Sequence, residues 1–134
     1  MKKLLPLFIL LAAASTAMAQ DSPSTVTLDS GVKVQTLKAT TGASPTASNS
    51  VKVHYRGTLQ NGTEFDSSYK RGEPISFPLG RVIPCWTQAV QTMHVGEKAK
   101  VFCPAKTAYG SRGAGSAIPP DSDLNFDIEL LGIQ

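Results

Sequence analysis

Histidine and cysteine are scarce, with two of each in 134 residues. His54, His94, Cys85 and Cys103 are scattered and lack the spacing of a metal site. His54 falls at a polar position of an alternating segment and His94 at the end of an apolar-faced one, so both read as surface or structural groups. No Gly-x-Ser-x-Gly elbow is present, which removes the usual frame of serine hydrolysis. The run Gly110-Ser111-Arg112-Gly113-Ala114-Gly115 has no following Lys-Ser/Thr and no strand–helix frame, so it is a poor phosphate loop. There are no internal repeats and no heptads. The length leaves no room for a two-domain enzyme with a dinucleotide site. No metal and no cofactor are expected. An enzyme built on this chain needs chemistry without making or breaking covalent bonds.

Charge of one sign is also in short supply. The formal charge is +3, and Lys2 and Lys3 supply two of those charges. These lysines open a leader. Leu4 to Ala14 is apolar apart from Pro6, and Ala17-Met18-Ala19 is a small-x-small cleavage site. The apolar run is short for a membrane span and no basic stop-transfer follows. The expectation is a signal peptide at residues 1–19, cleaved after Ala19, with a periplasmic or secreted product and no stable membrane anchor. No Cys follows the cleavage site, which argues against a lipoprotein. With Lys2 and Lys3 removed, the charge falls to +1. A nearly neutral domain has no electrostatic case for nucleic acid.

What remains is globular, with 41% apolar and 17% charged residues. Eleven Gly and nine Pro suggest many turns, and therefore strands. Residues 20–30 are small and polar and read as a loose N-terminal segment; residues 31–134 form the domain. Val32, Val34 and Leu37 suggest a strand. Val51, Val53 and Tyr55 alternate with Lys52, His54 and Arg56, the pattern of a half-buried strand. Asn61-Gly62 favours a tight hairpin turn. Ile75, Phe77 and Leu79 alternate again. Trp86, Ala89, Val90 and Met93 stand at i, i+3, i+4, i+7, behind a Pro84 suited to a first helical turn. Lys98 to Cys103 and Leu124 to Ile133 are further strands. The fold class expected is α+β: a twisted antiparallel sheet of five or six strands wrapped around one short helix.

Aromatics beside strand ends and loops are the remaining unusual feature. Tyr55, Phe65, Phe77, Trp86, Tyr109 and Phe126 either fill a small core or line an apolar pocket with a few polar tips. The motifs around them are specific. Val53-His54-Tyr55-Arg56-Gly57-Thr58-Leu59 is followed by Asn61-Gly62-Thr63-Glu64-Phe65-Asp66-Ser67-Ser68. Then come Arg71-Gly72-Glu73-Pro74-Ile75-Ser76-Phe77, Val82-Ile83-Pro84-Cys85-Trp86, Val95-Gly96-Glu97-Lys98, Ala108-Tyr109-Gly110 and Ile118-Pro119-Pro120. In this order they resemble the FKBP-type immunophilins, in particular the bacterial macrophage-infectivity-potentiator branch, from about Gly31 to Ile133. That branch often carries a helical N-terminal dimerisation domain that this chain lacks, so a monomer is expected.

The resemblance implies peptidyl-prolyl cis–trans isomerisation of proline-containing unfolded or extended polypeptides, with tacrolimus- or rapamycin-type macrolides as inhibitors. It implies catalytic roles for Asp66, Tyr109 and Trp86. Substrate would be lined by Tyr55, Phe65, Phe77, Val82, Ile83 and Phe126, with Ile118 flanking the rim. Either Ile75 or Phe77 could line the wall, because the link from Leu79 to Val82 is shorter than in many relatives; Phe77 is preferred. A binding module that holds chains in the same pocket with little turnover is the alternative function. Cys85 and Cys103 both depart from the family pattern. An exported chain with an even cysteine count favours a Cys85–Cys103 disulfide; two buried free thiols are the alternative.

Overall fold

The computed structural model describes residues 24–134; the expected signal peptide and its cleavage site lie outside the described residues. Strict alternation builds the central strands. In β3 (Ser50–Leu59), Val51, Val53, Tyr55 and Gly57 are buried while Lys52 and Arg56 are exposed. In β7 (Leu124–Ile133), Leu124, Phe126, Ile128 and Leu130 are buried. β6 (Lys98–Cys103) buries Ala99, Val101 and Cys103. A period of two puts each set on one face of its strand.

Seven strands, rather than five or six, form one antiparallel sheet among the described residues. β1 (Ser24–Thr27), β2 (Lys33–Lys38), β6, β7, β3 and β4 (Glu64–Ser67) lie side by side in that order, and β5 (Ile75–Pro78) also pairs with β3. The extra strands are the short ones. β1 is exposed at every position and lies in the segment expected to be loose, yet it pairs with β2 from Ser24↔Thr36 to Thr27↔Lys33. Its backbone ladder, not its side chains, holds it.

Register aligns the buried face. Val34, Val101, Phe126 and Gly57 form one row across the sheet; Thr36, Ala99, Ile128 and Tyr55 form the next. The helix α2 (Pro84–Val90) covers this face with Cys85, Trp86, Ala89 and Val90 buried. Met93 is fully buried although it lies past the helix end. The Cys85–Cys103 disulfide ties the first turn of α2 to the end of β6, across a Cα–Cα distance of 5.6 Å.

One edge of β3 is shared, and this shapes the site. β5 pairs with residues 50–53 of β3, and β4 with residues 56–58. Between them sits a single-turn helix, α1 (Ser68–Arg71), in a stretch whose sequence shows no apolar periodicity. Its signals are local. The Ser67 hydroxyl accepts from Lys70 N–H at its start, and Gly72 closes it in the left-handed conformation with φ +80°. The buried Ser68 hydroxyl then bonds the stretch of β3 that neither strand reaches. It accepts from Tyr55 N–H at 2.7 Å and donates to the Tyr55 carbonyl at 3.2 Å.

Candidate active site: an aromatic cavity floored by Trp86

A cavity of about 510 Å³ opens between α2 and the β3–β4 edge. It is lined by Tyr55, Phe65, Asp66, Phe77, Arg81, Val82, Ile83, Trp86, Tyr109 and Phe126. The size and the apolar lining with few polar tips suit a small-molecule or side-chain guest. A smaller hollow of about 310 Å³ lies on the other face of the sheet, where Lys33, Gln35, Lys100, Asn125 and Asp127 mix charges and amides with the Phe102 ring.

The register explains why neighbouring residues Phe65 and Asp66 both reach the cavity. Gly57 pairs with Asp66, but Thr58 pairs with Glu64. Phe65 is therefore the extra residue of a β-bulge, which re-aims one side chain. Tyr55, two residues before Gly57, becomes the diagonal neighbour of Asp66.

Gly57 is the second device. A Cβ there would stand 2.5 Å from Phe65 Cζ and 2.8 Å from Phe126 Cε1. Only glycine lets those two rings meet edge to face over the strand, with centroids 5.7 Å apart. Trp86 meets three rings at nearly right angles: Tyr55 at 5.2 Å, Phe126 at 5.4 Å and Phe77 at 5.5 Å. Edge-to-face packing is the preferred aromatic geometry, so the floor is held from three sides. The Trp86 indole N–H is buried without a hydrogen-bond partner among the described residues. An unpaired buried donor is uncommon.

The polar edge is one connected group. The Tyr55 hydroxyl donates to Asp66 Oδ2. Arg71 Nη1 donates to Asp66 Oδ1 at 2.5 Å, Arg71 Nη2 reaches the Tyr55 oxygen at 3.3 Å, and Ser67 N–H donates to Asp66 at 2.9 Å. Partial burial pushes the Asp66 carboxyl up. The Tyr55 hydroxyl, the Arg71 guanidinium and the Ser67 amide outweigh it and hold the group below the usual carboxylate range. Burial and the Asp66 charge raise the Tyr55 phenol, and its bonds to Tyr55 and Asp66 raise Arg71. Asp66 is thus an ionised, paired carboxylate, not a proton donor.

The structure brings together Tyr55, Phe65, Asp66, Phe77, Val82, Ile83, Trp86, Tyr109 and Phe126. Ile75 does not line the cavity. Tyr109 stands at the mouth, 39% exposed, with its hydroxyl unpaired among the described residues. Ile118, expected to flank the rim, is not among the residues lining the cavity; it is 4% exposed and packs in the core that also holds Trp86 and Phe126. Its backbone pairs with Ala114 in both directions, at 2.8 and 3.1 Å. Sequence reasoning missed Gly57, Ser68, Arg71 and Arg81 as site residues. A glycine inside a strong strand pattern was the available signal for the first; the others depend on contacts between distant strands.

A family model described as FKBP-type peptidyl-prolyl cis-trans isomerase matches residues 42–131. The chain is 58% identical over 106 residues to the FKBP-type peptidyl-prolyl cis-trans isomerase FkpA of Aeromonas hydrophila, covering 79% of this chain and 39% of that one. It is 48% identical over 105 residues to the FKBP-type 22 kDa peptidyl-prolyl cis-trans isomerase of Escherichia coli, covering 78% and 51%. The chain therefore spans about half the length, or less, of these curated relatives. The crystal structure of a peptidyl-prolyl cis-trans isomerase from Pseudomonas syringae matches 98% of both chains with a TM-score of 0.78 and 36% identity. With its sheet, its helix and most of its residues matched, the chain belongs to the FKBP-type peptidyl-prolyl cis-trans isomerase family.

Proposed function

We propose that this domain accelerates rotation about X–Pro bonds in unfolded or extended polypeptides. The observation that carries the reading is the aromatic cavity, a largely apolar cleft roomy enough for a prolyl ring, floored by Trp86 and edged by the paired carboxylate of Asp66. The barrier to the rotation is ~18–20 kcal/mol, mostly amide resonance. In the twisted transition state that resonance is broken, charge leaves the carbonyl oxygen and the amide is less polar. A cavity that excludes water favours the twisted state over the planar one, which is differential binding of the transition state. An acceleration of ~10⁵-fold needs about 7 kcal/mol.

Trp86 seats the prolyl ring. Tyr55, Phe65, Phe77, Val82, Ile83 and Phe126 wall it in. The Tyr109 hydroxyl, unpaired at the mouth, donates to a substrate carbonyl, and the Ile83 amide at the start of α2 is a second donor. Asp66 fixes Tyr55 and presents a negative edge to the twisting carbonyl. No proton moves, in keeping with a carboxylate held ionised by Tyr55 and Arg71. Tacrolimus or rapamycin occupies the same cavity. The signal peptide is cleaved after Ala19 and the product acts as a monomer in the periplasm. The disulfide supports an oxidising compartment.

Turnover of an X–Pro peptide tests the reading. Asp66→Ala is expected to lower kcat/KM by up to about tenfold, the effect of one lost hydrogen-bonding group, while keeping its fold. Saturating rapamycin is expected to raise Tm. A protein that prevents client aggregation but turns over no X–Pro peptide would be a holding module instead.

A further inference from the structure

The apolar walls of the cavity can read apolar groups only. Discrimination between charged and neutral neighbours of the proline falls to its edge, where Asp66 and Arg81 are the charged residues lining the cavity. Their situations differ. Asp66 is neutralised from within by the Arg71 guanidinium and the Tyr55 hydroxyl. Arg81 has no carboxylate partner among the described residues, and it is exposed. Of the charges at the mouth, the Arg81 guanidinium is the one left unpaired among the described residues.

The backbone that carries Arg81 is well anchored. It ends the 3₁₀ turn Leu79–Arg81, between the strand that holds Phe77 and the helix that holds Trp86. Leu79 is fully buried. Its N–H donates to the Asn49 carbonyl at 2.9 Å, and its carbonyl accepts from the Thr87 hydroxyl at 2.7 Å. Gly80 packs closely on the backbone of Ala47, where an added Cβ would lie 3.0 Å from the carbonyl oxygen. A fixed Cα thus presents a free guanidinium. A guanidinium offers a planar fork that matches a carboxylate. When a proline is seated on Trp86, its chain neighbours stay outside the apolar cavity, in the field of this group.

From this we infer that the pocket selects X–Pro segments with an acidic residue beside the proline, and that Arg81 is the specificity-determining residue. The inference rests on the proposed isomerase activity. The size of the effect is that of a solvent-exposed ion pair, roughly two- to fivefold in kcat/KM. It is screened as the Debye length shrinks from ~10 Å at 0.1 M salt to ~3 Å at 1 M.

The test is a set of matched peptides, with Glu, Gln or Lys placed in turn before and after the proline. Cis–trans exchange is measured for the wild-type protein, Arg81→Gln and Arg81→Glu at low and high salt. The wild type is expected to favour Glu over Gln in at least one position by roughly two- to fivefold at low salt, with the preference collapsing at high salt. Arg81→Gln is expected to bring the ratio to one, and Arg81→Glu to favour Lys. A Glu:Gln ratio that is one in the wild type, or that survives Arg81→Gln, overturns the inference while leaving the activity standing. No turnover of any peptide overturns the activity, and the inference with it.

Discussion

Removing the Cys85–Cys103 bond should cost stability that can be calculated from the chain. The two residues are 18 apart in sequence. In the chain-entropy model, closing a loop of that length removes unfolded-state freedom worth about 3 kcal/mol at 25 °C. For a domain of this size each kcal/mol moves Tm by ~4 °C, so the reduced protein should melt ~12 °C lower. Both sulfurs are fully buried, so reductant alone should act slowly on the native state. The assay is therefore to unfold and reduce, refold with reductant present, and compare melting curves with the oxidised protein. The same chain appears in both arms, so no cavity term enters. A second effect should follow from position, because Cys85 stands beside Trp86 in the first turn of α2. Loosening that turn is expected to raise KM more than it lowers kcat. Melting of the two forms within ~2 °C of each other would refute the loop-entropy reasoning.

Trp86→Ala should lose ~3–5 kcal/mol of stability along with the ring seat, whereas Trp86→Phe should fold and show a raised KM in peptide exchange. Gly57→Ala should cost ~1–3 kcal/mol by forcing Phe65 and Phe126 apart, visible as a lower denaturation midpoint and weaker macrolide binding. Asp66 has a folded pKa below its ordinary 3.8, so its contribution is complete above that value and is lost as pH falls through the lower folded value. Tm measured through this acid range should fall less steeply in Asp66→Asn than in the wild type.

The fold and the aromatic wall were legible where a side-chain pattern repeats. Alternation in β3 and β7, and the i, i+3, i+4, i+7 series through Trp86 and Met93, report burial directly. The pattern overran the helix by one turn because Met93 is buried past its end. α1 was invisible because Ser68-Tyr69-Lys70-Arg71 buries one residue, a serine, and is set by its caps. β1 was read as loose because backbone pairing with β2 leaves no mark in an exposed strand. Arg71 could not be assigned from spacing, since its partners Asp66 and Tyr55 meet it only after the shared edge of β3 brings β4 and α1 together. Ile118 rested on the resemblance alone, since its segment carries no side-chain pattern, and its backbone bridge to Ala114 is a contact that spacing does not announce.

The central claim is that this cavity turns an X–Pro bond without moving a proton. It is tested most directly by the catalysed cis–trans exchange of one X–Pro peptide, followed by NMR with substoichiometric protein in H₂O and D₂O from about pH 6 to pH 9, where an essential acid or base would reveal itself. The account predicts clear acceleration at every pH, a flat profile and equal rates in the two solvents. A bell-shaped profile with a solvent isotope effect, or no acceleration at all, would contradict it.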